Sequence, residues 1–331
     1  MAHFSFQEAT DLVYNCFVAN GCSGPNALQT ARVVALAEAD GCASHGLFRV
    51  PGYIRSLRSG KVSGSAVPQV SLKAPSVIQV NGDGGFAPPA HHAARSLVVD
   101  TAKSEGIAVV GFVNIYHFSA LWADIEPICA ENLCAFAFTS YLPAVAPAGG
   151  TKALFGTNPM AFGWPRTHAL PMIFDQASSV VARGEVMLAA RDGHTMAEGV
   201  GIDAQGHPTT DPKEILGGAM LPFGGYKGSA IALMVELLAG PLIGEVLSFE
   251  AAAIDNADGG PPRGGELLLV LSPDRIGGAD WSTQSEKLFG KISEQPGARL
   301  PADRRYSNRQ RSMQLGMNIP DSVVDKIKDL M

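Results

Sequence analysis

Residues 40–53, DGCASHGLFRVPGY, bring a histidine and an arginine together among small and turn-forming residues. His45 and Arg49 are four positions apart, which places them on one face if the stretch is helical. A guanidinium holds a carboxylate through two parallel hydrogen bonds, and an imidazole moves a proton near neutral pH. The pair therefore suits a site that binds a carboxylated substrate and protonates it, although an ordinary helix surface has the same pattern.

Three further polar residues are candidates for a binding or catalytic role. His117, in NIYHFSAL, follows the apolar run at 107–113, and Asp175 ends the run at 171–175. Because sheets present ligand-binding groups at strand ends, His117 is a candidate ligand-binding residue, and a structural histidine is an equally good interpretation. Glu185, in ARGEV, is a carboxylate of the kind that orients an imidazole, although an isolated glutamate is more often a solvated surface charge.

Common nucleotide and metal motifs are absent from the chain. It contains neither G-x-G-x-x-G nor G-x-x-x-x-G-K-[ST]. The loop LPFGGYKG at 221–228 has a lysine among glycines before a helix, so its N–H groups could face phosphates, although most such loops are merely turns. LFGTNP, at 154–159, is equally typical of a plain turn. His91 and His92 are adjacent on a predicted helix and point apart, and no residue set has metal-ligand spacing, so we expect no metal site.

The elements that must position these residues follow two different sequence patterns, one in each part of the chain. The first 75 residues are predicted to be helical, beginning with a capping box formed by Ser5 and Glu8. The third helix of this region is expected from about Ser44 to Gly60. Pro51 is compatible with that helix only if it lies in or near the first turn. From residue 76 onward, short apolar runs alternate with turn signals and predict strands at 77–80, 107–113, 134–140, 159–165, 171–175 and 266–272. Further helices are expected at 89–106, after Asp211, at 229–240 and in the charged C-terminal tail.

Composition restricts the class of protein. With 331 residues, 46% of them hydrophobic and 17% charged, and with 37 glycines and 22 prolines, the chain is predicted to be compact, globular and turn-rich. Its net charge of −6 argues against a nucleic-acid surface. The best apolar candidate, 230–240, is too short for a membrane span. Five cysteines without metal spacing, and no visible signal peptide, predict free thiols and a cytoplasmic protein.

Several motifs, taken in order, resemble the non-Rossmann malate/L-lactate dehydrogenase family, and within it the bacterial delta-1-piperideine-2-carboxylate/delta-1-pyrroline-2-carboxylate reductases. The motifs cover nearly the whole chain: D-G-x-x-SHG-x-x-R-x-P-x-Y, x-HF-x-AL, P-x-GG-x-x-x-LFGTNP-x-AF, D-x-A-x-S and LPFGG-x-KGS. The resemblance implies an α/β (α+β) fold with a largely antiparallel central sheet, N-terminal and C-terminal helical units, and a homodimer. It also accounts for the missing glycine fingerprint, because this family binds its nicotinamide cofactor on a different fold.

The chain is expected to divide into three regions. Residues 1–75 form the N-terminal helical unit, packed with C-terminal helices, and residues 76–209 form a sheet-based cofactor-binding region. Residues 210–331 contain the glycine-rich loop, a helix, the last strand and the helical tail.

The resemblance also implies a role for each matching residue. His45 matches the proton donor, and Ser44 and Glu185 match a charge relay. Substrate contacts match Arg49, Thr157, Arg183 and Gly184. Cofactor contacts match His117, Phe118, Ser119, Ala120, Leu121, Asp175, Gln176, Ala177, Lys227, Gly228, Arg299, Arg304 and Arg305. Two positions depart from the pattern: Glu185 stands where these reductases typically have aspartate, and Tyr116 stands where close relatives have histidine.

The predicted function is NADPH-dependent reduction of the cyclic imines delta-1-piperideine-2-carboxylate and delta-1-pyrroline-2-carboxylate, giving L-pipecolate and L-proline. NADPH is expected over NADH because arginines at 299–305 suit a 2′-phosphate. The nearest alternative is an NAD(P)-dependent 2-hydroxyacid dehydrogenase for malate, lactate or ureidoglycolate. A metal-dependent hydrolase using His45, His91 and His117, and a non-catalytic relative that binds nucleotide or partners, are alternatives from other classes.

Overall fold

The computed structural model describes all 331 residues, as twelve strands and thirteen α-helices with two 3-10 helices. The strands are β1 (Ala2–Phe4), β2 (Gln69–Ala74), β3 (Val77–Phe86), β4 (Ile107–Tyr116), β5 (Cys134–Thr139), β6 (Met160–Trp164), β7 (Met172–Gln176), β8 (Gly201–Ile202), β9 (Pro208–Thr209), β10 (Ala219–Met220), β11 (Arg263–Leu271) and β12 (Met317–Ile319). The α-helices are α1 (Phe6–Ala19), α2 (Gly24–Ala39), α3 (Val50–Arg58), α4 (Ala87–Glu105), α5 (Trp122–Cys129), α6 (Arg183–Asp192), α7 (Pro212–Gly217), α8 (Tyr226–Ala239), α9 (Ser248–Ile254), α10 (Pro273–Ile276), α11 (Trp281–Ser293), α12 (Asp303–Leu315) and α13 (Asp321–Lys328).

The central sheet has seven strands in the order β2-β3-β4-β11-β5-β6-β7. Only β3 and β4 pair in parallel, and α4 makes the connection between them. All other neighbours are antiparallel. The predicted fold class, with its largely antiparallel sheet, is therefore confirmed.

Successive side chains of each strand point to opposite faces of the sheet, so both faces carry apolar side chains. Helices cover both of these faces. On one face, α4 and α5 pack against buried residues such as Val110 and Leu268. On the other face, α8 places Val235 against Phe138 and Leu267. No helix in the structure is both long enough and apolar enough to span a membrane.

The N-terminal helices form a second core with the end of the chain. Residues of α1, α2 and α3, such as Phe17, Val34 and Tyr53, pack with Ile319 of β12 and Ile327 of α13. β1 pairs with β12 in antiparallel register. A smaller cluster joins α6, α7, α8 and the three-stranded sheet β10-β8-β9.

Elements with clear end signals were predicted well. The capping box of α1 is present, since the Ser5 side chain accepts from the backbone N–H of Glu8 and the Glu8 carboxylate accepts from that of Ser5. Pro51 lies in the first turn of α3, as the fixed φ of proline requires. α4 ends at Gly106, whose φ of 85° is a left-handed conformation that glycine adopts without strain.

The prediction of one continuous helix from Ser44 to Gly60 is wrong. Two 3-10 turns, Ala43–His45 and Leu47–Arg49, precede α3. The half-buried carboxylate of Glu38, on α2, accepts the backbone N–H of Leu47 at 2.9 Å, so this N–H is not available for a regular helix. His45 and Arg49 therefore lie in separate turns and not on one α-helical face.

Other differences concern short or weakly marked elements. Residues 69–74 form β2 and are not helical, so the helical prediction for the first 75 residues is wrong there. α5, which contains Pro127, was not predicted, nor were β1, β12 and the two-residue strands β8, β9 and β10. The helix expected from residue 229 begins earlier, at Tyr226.

Candidate active site

A cavity of about 860 Å³ opens at one edge of the central sheet. β4, β5 and β7 end at this edge, and β6 begins there, because β6 runs antiparallel to both of its neighbours. The 3-10 turns of the N-terminal unit, the first turn of α6 and the segment before α12 supply the other walls. The cavity thus gathers polar residues from strand ends and helix starts that are far apart in the sequence.

Almost all of the predicted site residues line this one cavity. They are Ser44, His45, Arg49, His117, Phe118, Ser119, Ala120, Leu121, Thr157, Asp175, Gln176, Ala177, Arg183, Gly184, Glu185, Arg299, Arg304 and Arg305. Lys227 and Gly228 do not line it. Gly228 packs tightly instead: a Cβ there would lie 2.7 Å from the backbone oxygen of Ser178, close behind the predicted cofactor segment. Tyr116 also lies outside the cavity lining.

Ser44 and His45 form a hydrogen-bonded pair in the first 3-10 turn. The Ser44 Oγ lies 3.1 Å from Nδ1 of His45, which leaves the opposite side of the ring, with Nε2, for another partner. Burial, together with the positive charges of Arg49 and His117, lowers the pKa of His45 to about 3. The imidazole is consequently neutral at pH 7 in the free protein.

Arg49 is a buried cation without a carboxylate partner. It is 9% exposed, and its Nε donates to the backbone oxygen of Ser44 at 2.6 Å. The guanidinium carbon lies 4.4 Å from the ring centroid of Phe118, a cation–π distance. No Asp or Glu oxygen lies within 4.0 Å of it, in contrast to the buried charges of Lys61 and Arg309. Buried charges are normally paired, so the remaining guanidinium N–H groups are available for an anion from solution.

The first turn of α6 packs directly on this pair. A Cβ on Gly184 would lie 2.9 Å from Cβ of Ser44 and 3.2 Å from Nη2 of Arg49. Glycine therefore allows α6 to approach the 3-10 turns closely. Arg183 and Glu185 flank Gly184 and line the cavity, and Glu185 is exposed and makes no side-chain hydrogen bond to Ser44 or His45.

Thr157 is positioned by a buried polar network behind it. Asn158 is fully buried with a φ of 36°, and its Nδ2 donates to the Glu236 carboxylate of α8 at 2.6 Å. Ser248 of α9 donates to the same carboxylate at 2.7 Å, and the Thr157 oxygen accepts the backbone N–H of Ser178 at 2.8 Å. GTNP is therefore a turn fixed from the core side. The side chain of Glu236 was not predicted to have this role.

The three predicted arginines near the C terminus differ in their surroundings. Arg305 lies over Trp122, 4.5 Å from the ring centroid, and 3.6 Å from the buried Asp40 carboxylate. Arg299 and Arg304 are exposed and form no ion pair. These two are therefore free cations at the cavity mouth, whereas Arg305 ties the segment to the protein.

Asp175 lies at the end of β7 and faces α5. Its Oδ2 accepts the backbone N–H of Trp122 at 3.1 Å. Burial raises the pKa of Asp175 to about 6, against the lowering effects of this hydrogen bond and of Arg305. Trp122, which the motifs did not indicate, thus contacts two predicted cofactor residues. Tyr141, in the cavity wall close behind the end of β5, was also missed.

Four buried residues beneath the cavity form a cluster, the buried quartet, which consists of His91, His117, Asp124 and Glu266. Nε2 of His117 lies 2.8 Å from Oδ2 of Asp124, and Nε2 of His91 lies 2.7 Å from Oε2 of Glu266. Burial alone would lower the pKa of His91, but Glu266 and Asp124 outweigh it and raise the pKa to about 9. The pKa of His117 is raised in the same way, chiefly by Asp124. The hydrolase alternative placed His45 with these histidines, but His45 lies outside the quartet.

Comparisons with known proteins agree over the whole chain. A model of the malate/L-lactate dehydrogenases matches residues 4–328. The Delta(1)-pyrroline-2-carboxylate reductase of Ancylobacter novellus is 45% identical over 329 residues, which cover 98% of this chain and 96% of that protein. The Delta(1)-pyrroline-2-carboxylate/Delta(1)-piperideine-2-carboxylate reductase of Pseudomonas aeruginosa is 44% identical over 326 residues, covering 98% and 97%.

Two of the solved structures that share this architecture are structures of enzymes. The crystal structure of delta1-piperideine-2-carboxylate reductase from Pseudomonas syringae pvar. tomato is similar with a TM-score of 0.96, 42% identity and complete coverage of both chains. The sulfolactate dehydrogenase of Methanocaldococcus jannaschii is similar with a TM-score of 0.87 and 25% identity, covering 99% of this chain and 96% of that one.

Proposed function

From the premise that this chain belongs to the malate/L-lactate dehydrogenase family, we propose that it reduces cyclic 2-carboxylated imines with NADPH. The resemblance that its motifs indicated is confirmed. The substrates are delta-1-piperideine-2-carboxylate and delta-1-pyrroline-2-carboxylate, the compounds that appear in the names of its relatives. The products are L-pipecolate and L-proline.

The observation that carries this proposal is the unpaired guanidinium of Arg49. It is buried beside His45 and lacks a carboxylate from the protein, so an anionic substrate group completes the pairing. A 2-carboxylate on the imine carbon places the C=N bond next to its anchor, and therefore near the imidazole. Arg183, Gly184 and Thr157 complete the substrate side of the cavity.

Reduction of C=N requires a hydride at carbon and a proton at nitrogen. His45 supplies the proton, and the Ser44 hydroxyl at its Nδ1 fixes the orientation of the ring. When the substrate carboxylate neutralises Arg49, one of the charges that depress the pKa of His45 is cancelled, so substrate binding favours the protonated acid. Glu185 completes the relay in this proposal by turning toward Ser44 from the first turn of α6.

The remaining cavity suits a nicotinamide cofactor. Its volume lies in the range of ordinary ligand sites, and two unpaired arginines stand at its mouth. His117–Leu121, Asp175–Ala177 and the 299–305 segment would hold the cofactor, with Arg299 and Arg304 at the 2′-phosphate. When bound, the reduced nicotinamide supplies the hydride.

The test is NADPH oxidation, followed by absorbance, with a panel of cyclic imino acids and 2-oxo acids. We expect kcat/KM for the imino acids to exceed that for malate-type and lactate-type oxo acids by at least about tenfold. In His45→Ala, kcat should fall on the order of 10²–10⁴-fold while NADPH binding is retained. Equal or better turnover of the oxo acids would favour the 2-hydroxyacid dehydrogenase alternative.

The proposal also covers where the protein acts and how many subunits it has. The protein acts in the cytoplasm, which is supported by five cysteines that are all free. It is a homodimer, which is supported by an apolar stripe on the solvent side of α8 consisting of Tyr226, Leu233, Met234 and Leu237. These residues lie at helical spacing and are exposed in the single chain, so a second subunit would remove them from water.

A further inference from the structure

The buried quartet contains the one group of possible metal ligands in the molecule, which consists of His91, Asp124 and Glu266. The members of the quartet come from four separate elements: His91 from α4, His117 from the end of β4, Asp124 from α5 and Glu266 from β11. Every one of these side chains is at most 9% exposed, and that of Glu266 is 0% exposed. The quartet is therefore built into the core and does not result from chance clustering on a surface.

Donor atoms of three members of the quartet lie close together, and His117 contacts two of these three residues. The two close pairs are separated by 2.7 and 2.8 Å, and the two cross pairs, His91–Asp124 and His117–Glu266, by 3.8 and 3.7 Å. Donor atoms of His91, Asp124 and Glu266 all lie within 4.8 Å of one another. Ligands at about 2.1 Å from a tetrahedral ion are about 3.4 Å apart, which falls between the two sets of distances. His91, Asp124 and Glu266 are therefore the candidate ligands, and His117 is the hydrogen-bond partner of Asp124 beside them.

A second observation points to a missing partner on the other carboxylate oxygen of Glu266, the one that faces neither histidine in the close contacts. Glu266 Oε1 is buried and has no hydrogen-bond donor. An unpaired carboxylate oxygen in the core is costly, and a cation is the partner that satisfies it. Two carboxylates balance the charge of a divalent ion once His91 has given up its proton and binds as a neutral imidazole. Imidazole nitrogens combined with carboxylate oxygens suit zinc and its neighbours among the transition metals.

We propose that His91, Asp124 and Glu266 of the buried quartet bind one divalent transition-metal ion of the zinc and cobalt type. The site is structural: it joins α4, α5 and β11 below the cavity, and through Asp124 it fixes His117 at the start of the segment that lines the cavity. It takes no part in the transfer of hydride or proton. The inference does not depend on the proposed activity.

The experiment uses the full chain without an affinity tag. Metal-free protein is titrated with Co²⁺ at mildly alkaline pH, where the imidazoles are able to give up protons, and the visible d–d absorption is recorded. We expect about one equivalent to bind with a tetrahedral-type spectrum, Zn²⁺ to displace it, and Zn²⁺ to raise Tm.

Variants locate the ion. Glu266→Gln and His91→Asn should weaken Co²⁺ binding at least about tenfold. His92→Asn is the matched control, because His92 is adjacent but exposed, and it should bind as the parent does. Circular dichroism shows whether each variant is folded. If the folded parent gives neither a Co²⁺ band nor a Zn²⁺-dependent Tm, or if His92→Asn loses the band, the proposal is wrong, and protons hold the quartet together.

Discussion

Arg49 and His45 show how one buried charge controls the protonation of a neighbouring side chain. The guanidinium has no carboxylate partner, and its positive charge helps to keep the neighbouring imidazole neutral. The same cation binds the substrate in the proposed reaction. Binding and protonation are therefore coupled through electrostatics, and the acid gains its proton when its target is present.

Our first prediction concerns the pKa of His45. In the free protein this imidazole should stay neutral down to about pH 4, because its pKa is lowered to about 3. A non-reducible aromatic 2-carboxylate that occupies Arg49 should raise this pKa by removing a positive neighbour. NMR titration of the histidine ring signals, assigned with His45→Asn, measures both values. A ring that titrates near 6.5 with and without the ligand would contradict the coupling.

The second prediction tests Glu185, the departure from the reductase pattern. If its carboxylate stabilises the charged imidazole through Ser44, Glu185→Gln should lower the pKa of His45 in the complex. The alkaline limb of the pH–kcat profile then moves to lower pH, and kcat at neutral pH falls. Glu185→Asp should keep substantial activity. Parent-like profiles for both variants would mean that Glu185 is only a surface charge, as its exposure in the free protein would suggest.

At the scale of elements, the site depends on how closely α6 approaches the 3-10 turns. Our third prediction is that Gly184→Ala lowers kcat/KM at least about tenfold with little change in Tm. The added methyl group would meet Ser44 and Arg49 on the cavity side and displace both.

Gly290→Ala on α11 is the control for this substitution. A Cβ at Gly290 meets nothing within 4 Å, so alanine should leave activity unchanged and stabilise the helix by up to about 1 kcal/mol. Unchanged kinetics in Gly184→Ala would show that the close approach is not required.

The fourth prediction separates the arginines of the segment before α12. Arg299→Gln together with Arg304→Gln should raise KM for NADPH and leave KM for NADH nearly unchanged, because only NADPH carries the 2′-phosphate. Arg305→Gln should instead lower Tm, since Arg305 pairs with Asp40 and lies over Trp122. Arg311→Gln, an exposed charge on α12 outside the cavity, is the control. Equal kcat/KM for both cofactors in the parent would contradict this assignment.

Local signals predicted the elements that carry them, and most of the residues named from the motifs line one cavity. The capping box of α1 and the glycine after α4 are written into neighbouring residues, so both ends were found. The break after His45 was not, because it depends on Glu38, nine residues before the N–H that it accepts. The strand order joins β4 to β11 across more than 100 residues, and no periodicity encodes that pairing.

The same reason explains why the quartet was missed. His91 and His117 were grouped only with His45, in the hydrolase alternative. Asp124 and Glu266 were not considered as ligands, and no two of the four residues have ligand spacing. They meet only because α4 and α5 cover the same face of the sheet and β11 runs beside β4. The cavity residues, in contrast, belong to short contiguous motifs. The sequence alone therefore identified these residues as candidates, although it did not show how they are arranged.

At the scale of the whole molecule, the exposed apolar stripe on α8 is the feature that the single chain leaves unexplained. Leu233 is 48% and Leu237 51% exposed, on a helix whose opposite face packs on the sheet. Our fifth prediction is that light scattering after size exclusion gives about twice the mass of the 34.6 kDa chain.

The double variant Leu233→Glu with Leu237→Glu should give the mass of one chain, because charges on this stripe would have to be buried unpaired in the dimer. Leu288→Glu on α11, where the leucine is 59% exposed, is the matched control and should remain dimeric. A double variant with the parent's mass would place the interface elsewhere.

The pairing of β1 with β12 has a consequence for the order in which the protein is made. Phe17 and Val34 near the start of the chain share a core with Ile319 and Ile327 near its end, and Leu47, between His45 and Arg49, belongs to that core. During synthesis the ribosome holds the last residues in its exit tunnel while the first helices are already outside. The part of the cavity that carries the acid is therefore translated early but completed only after β12 and α13 have emerged from the exit tunnel.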